Sequence, residues 1–201
     1  GLDGDPLTLE EYDDKDQHQE PVYAVAVDRI NKRITVIFRG TDNLAFRTNW
    51  KTNATVFKTK VSMPKSLQGE LPINSQVQMH KGFYDYLFQE KDSEPSGESK
   101  FDEVFNLIKQ FLKANPGFKL YITGHSLGGA LATITSFFLA CDLRIPKPVT
   151  CITYGSPRVG DANFLSAVTS LEATKQLRYC RVVNDNDAVA SLPVIQYHHA
   201  G

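Results

Sequence analysis

From residue 100 onward the chain alternates between two hydrophobic periods, and that alternation limits its fold more than any other feature. "FDEVFNLIKQFL" spaces Phe101, Val104, Phe105, Ile108, Phe111 and Leu112 three and four residues apart, which lines one face of a helix. Ser99 and Asp102 stand before this run as a capping pair, and Pro116-Gly117 ends it. A strand is then expected over 118–123, a helix over 127–141, a strand over 149–154, a helix over 161–171 and a strand over 177–183. Asp161, between a glycine and a helix, reads as an N-cap. Strands separated by helices cannot be hairpin partners, so they build parallel sheet. The expected fold class is α/β: a mainly parallel sheet with helices on both faces.

Upstream, "VYAVAVD" and "RITVIFR" are β-branched runs either side of a short polar turn, the pattern of paired strands. From Gly40 to Val77 the chain is polar, carries Pro64 and Pro72, and lacks a strong period. That is long for a connection and marks a functional loop or lid. A helix is expected from about Gly82, followed by a solvated loop, "KDSEPSGESK". The first twenty residues include Glu10, Glu11, Asp13, Asp14 and Asp16 and read as a solvated acidic arm leading into one domain over 21–201.

Composition removes several function classes. A net charge of -1 with no Lys/Arg cluster argues against nucleic acid as partner. The longest apolar stretch, Leu127 to Leu143, is broken by Thr133, Thr135 and Ser136 and is too short for a transmembrane segment. Cys141, Cys151 and Cys180 have no metal-ligand spacing, and an odd count leaves at least one thiol outside any internal disulfide, so buried free thiols are expected. The chain starts at Gly1 with neither methionine nor a signal-like segment, which reads as a processed piece and fixes no compartment.

In an open α/β sheet, sites form past the carboxyl ends of the strands. Those positions here are Gly40-Thr41, Gly124 to Gly128, Gly155-Ser156-Pro157 and Asn184 to Asp187. The second holds the sharpest signal, "YITGHSLGGALA", in which Gly124 and Gly128 flank Ser126 between an aliphatic strand and an alanine-rich helix. Such a turn holds a serine hydroxyl out as a nucleophile. A serine nucleophile needs a histidine to take its proton and a carboxylate to orient that histidine. Asp187 is placed to be that acid, with Asp185 as its rival in "NDND". The oxyanion of an acyl transfer needs preorganised N–H donors. Leu127 offers one at the helix start, where the helix dipole adds to it, and Thr41 in "FRGT" offers another. None of these roles requires a metal or an organic cofactor.

"VIFRGT", "HKGF", "ITGHSLGGALA", "YGSPRVGD", "RVVNDNDAVASLP" and "HHAG", in that order, resemble the fungal-type class 3 lipases, a branch of the α/β-hydrolases, over roughly Val22 to Gly201. The resemblance implies Ser126 as nucleophile, Asp187 as the triad acid of a D-x-V-x-x-L-P stretch, and Thr41 and Leu127 as the oxyanion pair. Ala190 departs from the proline usual in that stretch. "TDNLAFRTNW" falls where the family carries a lid that opens at a lipid surface, and Leu44, Phe46 and Trp50 would give it an apolar side. Trp50 also reads as an anchor of that loop in the core. His80 matches a histidine that is structural in the family. The implied activity is hydrolysis of lipid esters (triacylglycerol, diacylglycerol or phospholipid) at a lipid–water interface. The alternatives are a feruloyl-type esterase on the same scaffold and a lipase-like protein that binds without catalysis.

The base is the missing part. The order in this fold is serine, acid, histidine, and only His198 and His199 follow Asp187. "HAG" matches a family stretch well before the catalytic histidine, so the resemblance implies a base beyond Gly201. A local histidine and a chain without a base are the other two readings. His125 points away from its neighbour Ser126, and His18 lies in the acidic arm.

Overall fold

The computed structural model describes residues 7–14, 21–40, 57–71, 77–89, 98–184, 192–193 and 197–199. Among these, β2 (Tyr23–Asp28) and β3 (Arg33–Phe38) pair antiparallel with Tyr23, Val25 and Val27 opposite Phe38, Val36 and Ile34. All six of those side chains are buried, so one face of the hairpin belongs to the core, as period-two alternation requires. Phe38 and Tyr23 also meet as tilted rings at 6.4 Å. β6 (Lys119–His125) then lies parallel to β3, with Leu120 beside Ile34 and Ile122 beside Val36. β7 (Val149–Tyr154) and β8 (Leu177–Val182) extend the sheet in parallel. The six-stranded order is β1-β2-β3-β6-β7-β8, with β1 (Leu7–Asp13) antiparallel on the outer edge.

Within residues 1–20, read as a solvated arm, residues 7–13 form β1. Its side chains are mostly exposed or half-buried, so its acids look like a solvated run, yet its backbone pairs with β2 from Leu7↔Asp28 to Asp13↔Tyr23. One acid is buried at its end. Asp13 accepts from Lys100 Nζ at 2.7 Å, and Lys100 also reaches Glu103 at 2.9 Å. The Tyr23 hydroxyl donates to Glu103 at 2.8 Å, which closes the cluster.

The helices are α1 (Lys81–Phe88), α2 (Lys100–Ala114), α3 (Leu127–Cys141) and α4 (Ala162–Ala173). α2 starts with the capping box that the sequence implies: Ser99 Oγ accepts from Asp102 N–H, and the Asp102 carboxylate takes the Ser99 N–H. Asp161 caps α4 by accepting from Phe164 N–H at 2.9 Å. α3 is buried along its whole length, so it has no polar face. Rings connect the helices to one another: Phe88 stacks on Phe101 at 4.6 Å, Phe138 meets Phe88 and Phe101 edge-on, and Phe137 meets Phe164 at 5.1 Å.

That continuous layer refines the expectation of helices on both faces. Each parallel connection steps to the next strand in the same direction, and right-handed crossovers of that kind place their helices on one side. On the other side, among the described residues, Thr35, Tyr121, Thr123 and Ile152 are only half-buried, and Arg178, Cys180 and Val182 are exposed. Cys180 therefore departs from the expected buried thiols, which Cys141 and Cys151 satisfy. Burial in apolar surroundings pushes both of those thiols up to about 12. Within the polar stretch 40–77, residues Lys58–Lys60 form β4, antiparallel to β5 (Gln78–His80).

Candidate active site

Ser126 sits between β6 and α3 with φ 56° and ψ −123°, a conformation that an L-residue adopts only where its surroundings impose it. Those surroundings can be named. The Ser126 N–H donates to the Tyr154 carbonyl at the end of β7, and its own carbonyl accepts from Gly129 N–H, both at 2.9 Å. A Cβ on Gly124 would lie 2.3 Å from the carbonyl of Gly128, and one on Gly128 would lie 2.2 Å from the carbonyl oxygen of Phe38. The spacing of the two glycines thus follows from backbone contact between the first turn of α3 and the ends of β3 and β6. The serine side chain makes no capping bond to α3, which leaves its hydroxyl available. Ser126 is 9% exposed.

Leu127 is the first helical residue and 3% exposed. Its N–H has no acceptor within the helix, and the positive end of the helix dipole adds to it. Gly40 brings the end of the β3 connection to the same place. A Cβ there would lie 2.9 Å from the His125 carbonyl oxygen and 3.7 Å from Ser126 Cβ. Thr41, Asp187, its rival Asp185 and the segment 41–50 lie outside the described residues, as does His18.

Among the histidines, His125 is the last residue of β6, exposed, and paired in register with Tyr154. His199 Nε2 lies 3.0 Å from an Arg181 guanidinium nitrogen, and His198 bonds through its backbone to Gly160 at 2.9 Å. His80 is buried in another place, stacked on Phe83 at 4.3 Å and tilted against Tyr197 at 5.8 Å. Neither of its ring nitrogens has a hydrogen-bond partner. Burial holds its pKa below the ordinary value, against a weaker opposing pull from Asp85. Its neighbour Gly82 explains the spacing of "HKGF": a Cβ there would come within 3.2 Å of the His80 ring. Among the described residues no group of His, Cys, Asp and Glu could hold a metal ion, and no helix is long and apolar enough to cross a membrane.

Three contacts around the elbow escaped sequence reasoning. Ser156 presses its Cβ to within 2.8 Å of where a Gly129 side chain would begin. Thr133 donates to the Gly129 carbonyl at 2.8 Å, and Tyr179 lies 2.8 Å from the Thr133 hydroxyl. The Thr133–Gly129 bond is local to α3, whereas the contacts of Ser156 and Tyr179 join segments distant in sequence, which no local signal marks.

A mainly parallel sheet with a strained serine at the strand-to-helix turn, where it is the N-cap of the following helix, defines the α/β-hydrolase class. Within that class, residues 35–197 match the family described as lipase (class 3), and the chain belongs to that family. It is 33% identical over 181 residues to a secreted mono- and diacylglycerol lipase of Fusarium solani, covering 87% of this chain and 44% of that protein. It is 34% identical over 139 residues to phospholipase A1-IIgamma of Arabidopsis thaliana, covering 64% of this chain and 32% of that one. The structure of the Rhizomucor miehei lipase propeptide complex superposes with a TM-score of 0.70 at 27% identity, over 98% of this chain and 55% of the other. The chain thus spans less than half the length of the two curated relatives and about half of the solved one.

Proposed function

We propose that this chain belongs to a serine ester hydrolase of lipid acyl esters that works through an acyl-enzyme on Ser126. The observation that carries the reading is Ser126 itself, held at positive φ at the N-cap of α3 with its hydroxyl unbonded to that helix. In this reading Ser126 Oγ attacks the ester carbonyl while a histidine oriented by Asp187 takes the hydroxyl proton. The carbonyl oxygen gains charge beside the N–H of Leu127 and the donors of Thr41. Collapse of that intermediate breaks the acyl–oxygen bond, and the histidine returns the proton to the leaving alcohol. Water then repeats the sequence on the acyl-enzyme. The chemistry uses no metal and no organic cofactor.

Support for a lipid substrate comes from the relatives. One is named for mono- and diacylglycerols and another as a phospholipase A1, and what those names share is an acyl ester on a glycerol-based lipid. Contact at a lipid–water interface belongs to the same reading, with residues 41–50 as its lid.

The test is hydrolysis of a short-chain nitrophenyl ester by the full natural protein and its Ser126→Ala variant, with folding checked by circular dichroism. Ser126→Ala should lower the rate by roughly a thousandfold or more. Equal rates for the two would remove Ser126 from the chemistry. Long-chain emulsions against soluble feruloyl esters then separate a lipase from a feruloyl-type esterase.

A further inference from the structure

We propose that the Tyr179 hydroxyl is a positioning group for the elbow, joining the two arms that hold Ser126 in its strained conformation; its catalytic meaning rests on Ser126 being the nucleophile. The Thr133 hydroxyl donates to the Gly129 carbonyl at 2.8 Å. A hydroxyl has one hydrogen, so the 2.8 Å contact between Thr133 and Tyr179 must be a bond that Tyr179 donates. The tyrosine oxygen is then left to accept from Thr153, whose hydroxyl lies 3.4 Å away.

Both arms end on Ser126. Through Thr133 the first arm reaches Gly129, whose N–H bonds the Ser126 carbonyl. Through Thr153 the second reaches Tyr154, whose carbonyl takes the Ser126 N–H. The peptide groups on either side of the strained residue are therefore fixed by α3 and by β7, and one phenol ties those elements together from β8. Tyr179 is itself held in register: its N–H donates to Glu172 of α4 at 3.0 Å, and it pairs with Cys151 across the sheet. Burial keeps its phenol protonated far above neutral pH, so the donor is present throughout the working range. A residue at unfavourable φ persists only where its surroundings over-determine it, and linked buried hydrogen bonds reinforce one another.

The test is amide hydrogen exchange of the whole chain, comparing wild type with Tyr179→Phe, which removes one oxygen and keeps the ring. Exchange over residues 126–130 should rise roughly three- to tenfold, the range that loss of one buried hydrogen bond allows, while β2 and β3 keep their wild-type rates. Thr133→Val should reproduce the change, and Thr133→Ser, which keeps the hydroxyl, should restore wild-type exchange. The double variant Tyr179→Phe/Thr133→Val should raise exchange by less than the product of the two single effects, because Tyr179 acts through Thr133.

A fluorophosphonate probe, which bonds to Ser126 Oγ with loss of fluoride, reads the catalytic consequence. Its labelling rate, measured on the full natural protein, should fall in Tyr179→Phe, with Ser126→Ala unlabelled. Elbow exchange unchanged within about twofold, or raised equally across the sheet, overturns the positioning role. So does faster exchange with an unaltered labelling rate. A full natural protein that does not label refutes Ser126 as nucleophile instead, and the exchange data still decide whether Tyr179 holds the elbow.

Discussion

Two glycines of this chain are glycine for different reasons, and the difference is measurable. Gly117 has φ 81° with nothing within 4 Å of an added Cβ, so only its backbone conformation resists a side chain. Gly128 lies under the Phe38 carbonyl, with three backbone atoms within 2.9 Å of where its Cβ would stand. Backbone cannot rotate aside as a side chain can. Gly117→Ala should cost about 1 kcal/mol and Gly128→Ala about 3 kcal/mol or more, read by denaturant unfolding. Equal losses would show that contact with β3 is not what fixes the second glycine. His80 yields a prediction in pH. Its pKa is lowered by burial from the ordinary 6.5, so the unfolded chain takes up the proton first as pH falls. The contribution of neutral His80 is complete above 6.5 and declines as pH falls toward the depressed folded value. Thermal unfolding between about pH 7.5 and 5 should show that decline in the wild type and a flatter limb in His80→Phe.

The elements differ in how openly the sequence states them. α2 has an amphipathic period, a capping box and an acidic first turn, and its bounds were readable to within a few residues. Ser99→Ala should therefore cost about 1 kcal/mol, and Ser99→Asp, which keeps an acceptor, should cost less, as thermal shifts would show. α3 has no polar face, because it runs beneath the sheet between α1 and α4; the glycines of its first turn and the strand before it, not its period, mark where it begins. β1 was hidden. Being an edge strand with most side chains exposed, it presents acids where a buried strand would present valines. β4 was hidden too: three residues of "KTK" carry no period and are a strand only because Gln78–His80 lies beside them.

At the scale of the whole molecule, the sheet edge is tied to the helix layer by charge. Lys100 is 4% exposed, and its ammonium rests between Asp13 and Glu103. Removing one member of a buried pair strands the other, so Asp13→Ala should lose about 3 kcal/mol, the low end of the usual range because Glu103 remains. Asp13→Ala combined with Lys100→Met should recover most of that loss, measured as unfolding free energy. A double variant no better than the single one would mean that the cluster holds β1 by geometry and not by compensated charge. At the other end of α3, Asp142 is fully buried and accepts from Arg144 and from the Gln68 N–H, which fastens the 57–71 segment to the helix end.

By itself the sequence determined the α/β class, the parallel strands, the caps of α2 and α4, and the serine elbow. Those features are set by contacts a few residues apart, through periodicity, side-chain caps and glycine spacing, so chain order alone records them. Only the tertiary structure decided that β1 closes the sheet, that the described helices share one face, and that Tyr179 reaches Thr133 beneath the elbow. Each of these depends on groups distant in sequence, 87 residues for Asp13 and Lys100 and 46 for Thr133 and Tyr179. No local pattern carries such a pairing, because burial and strand order are properties of the assembled sheet.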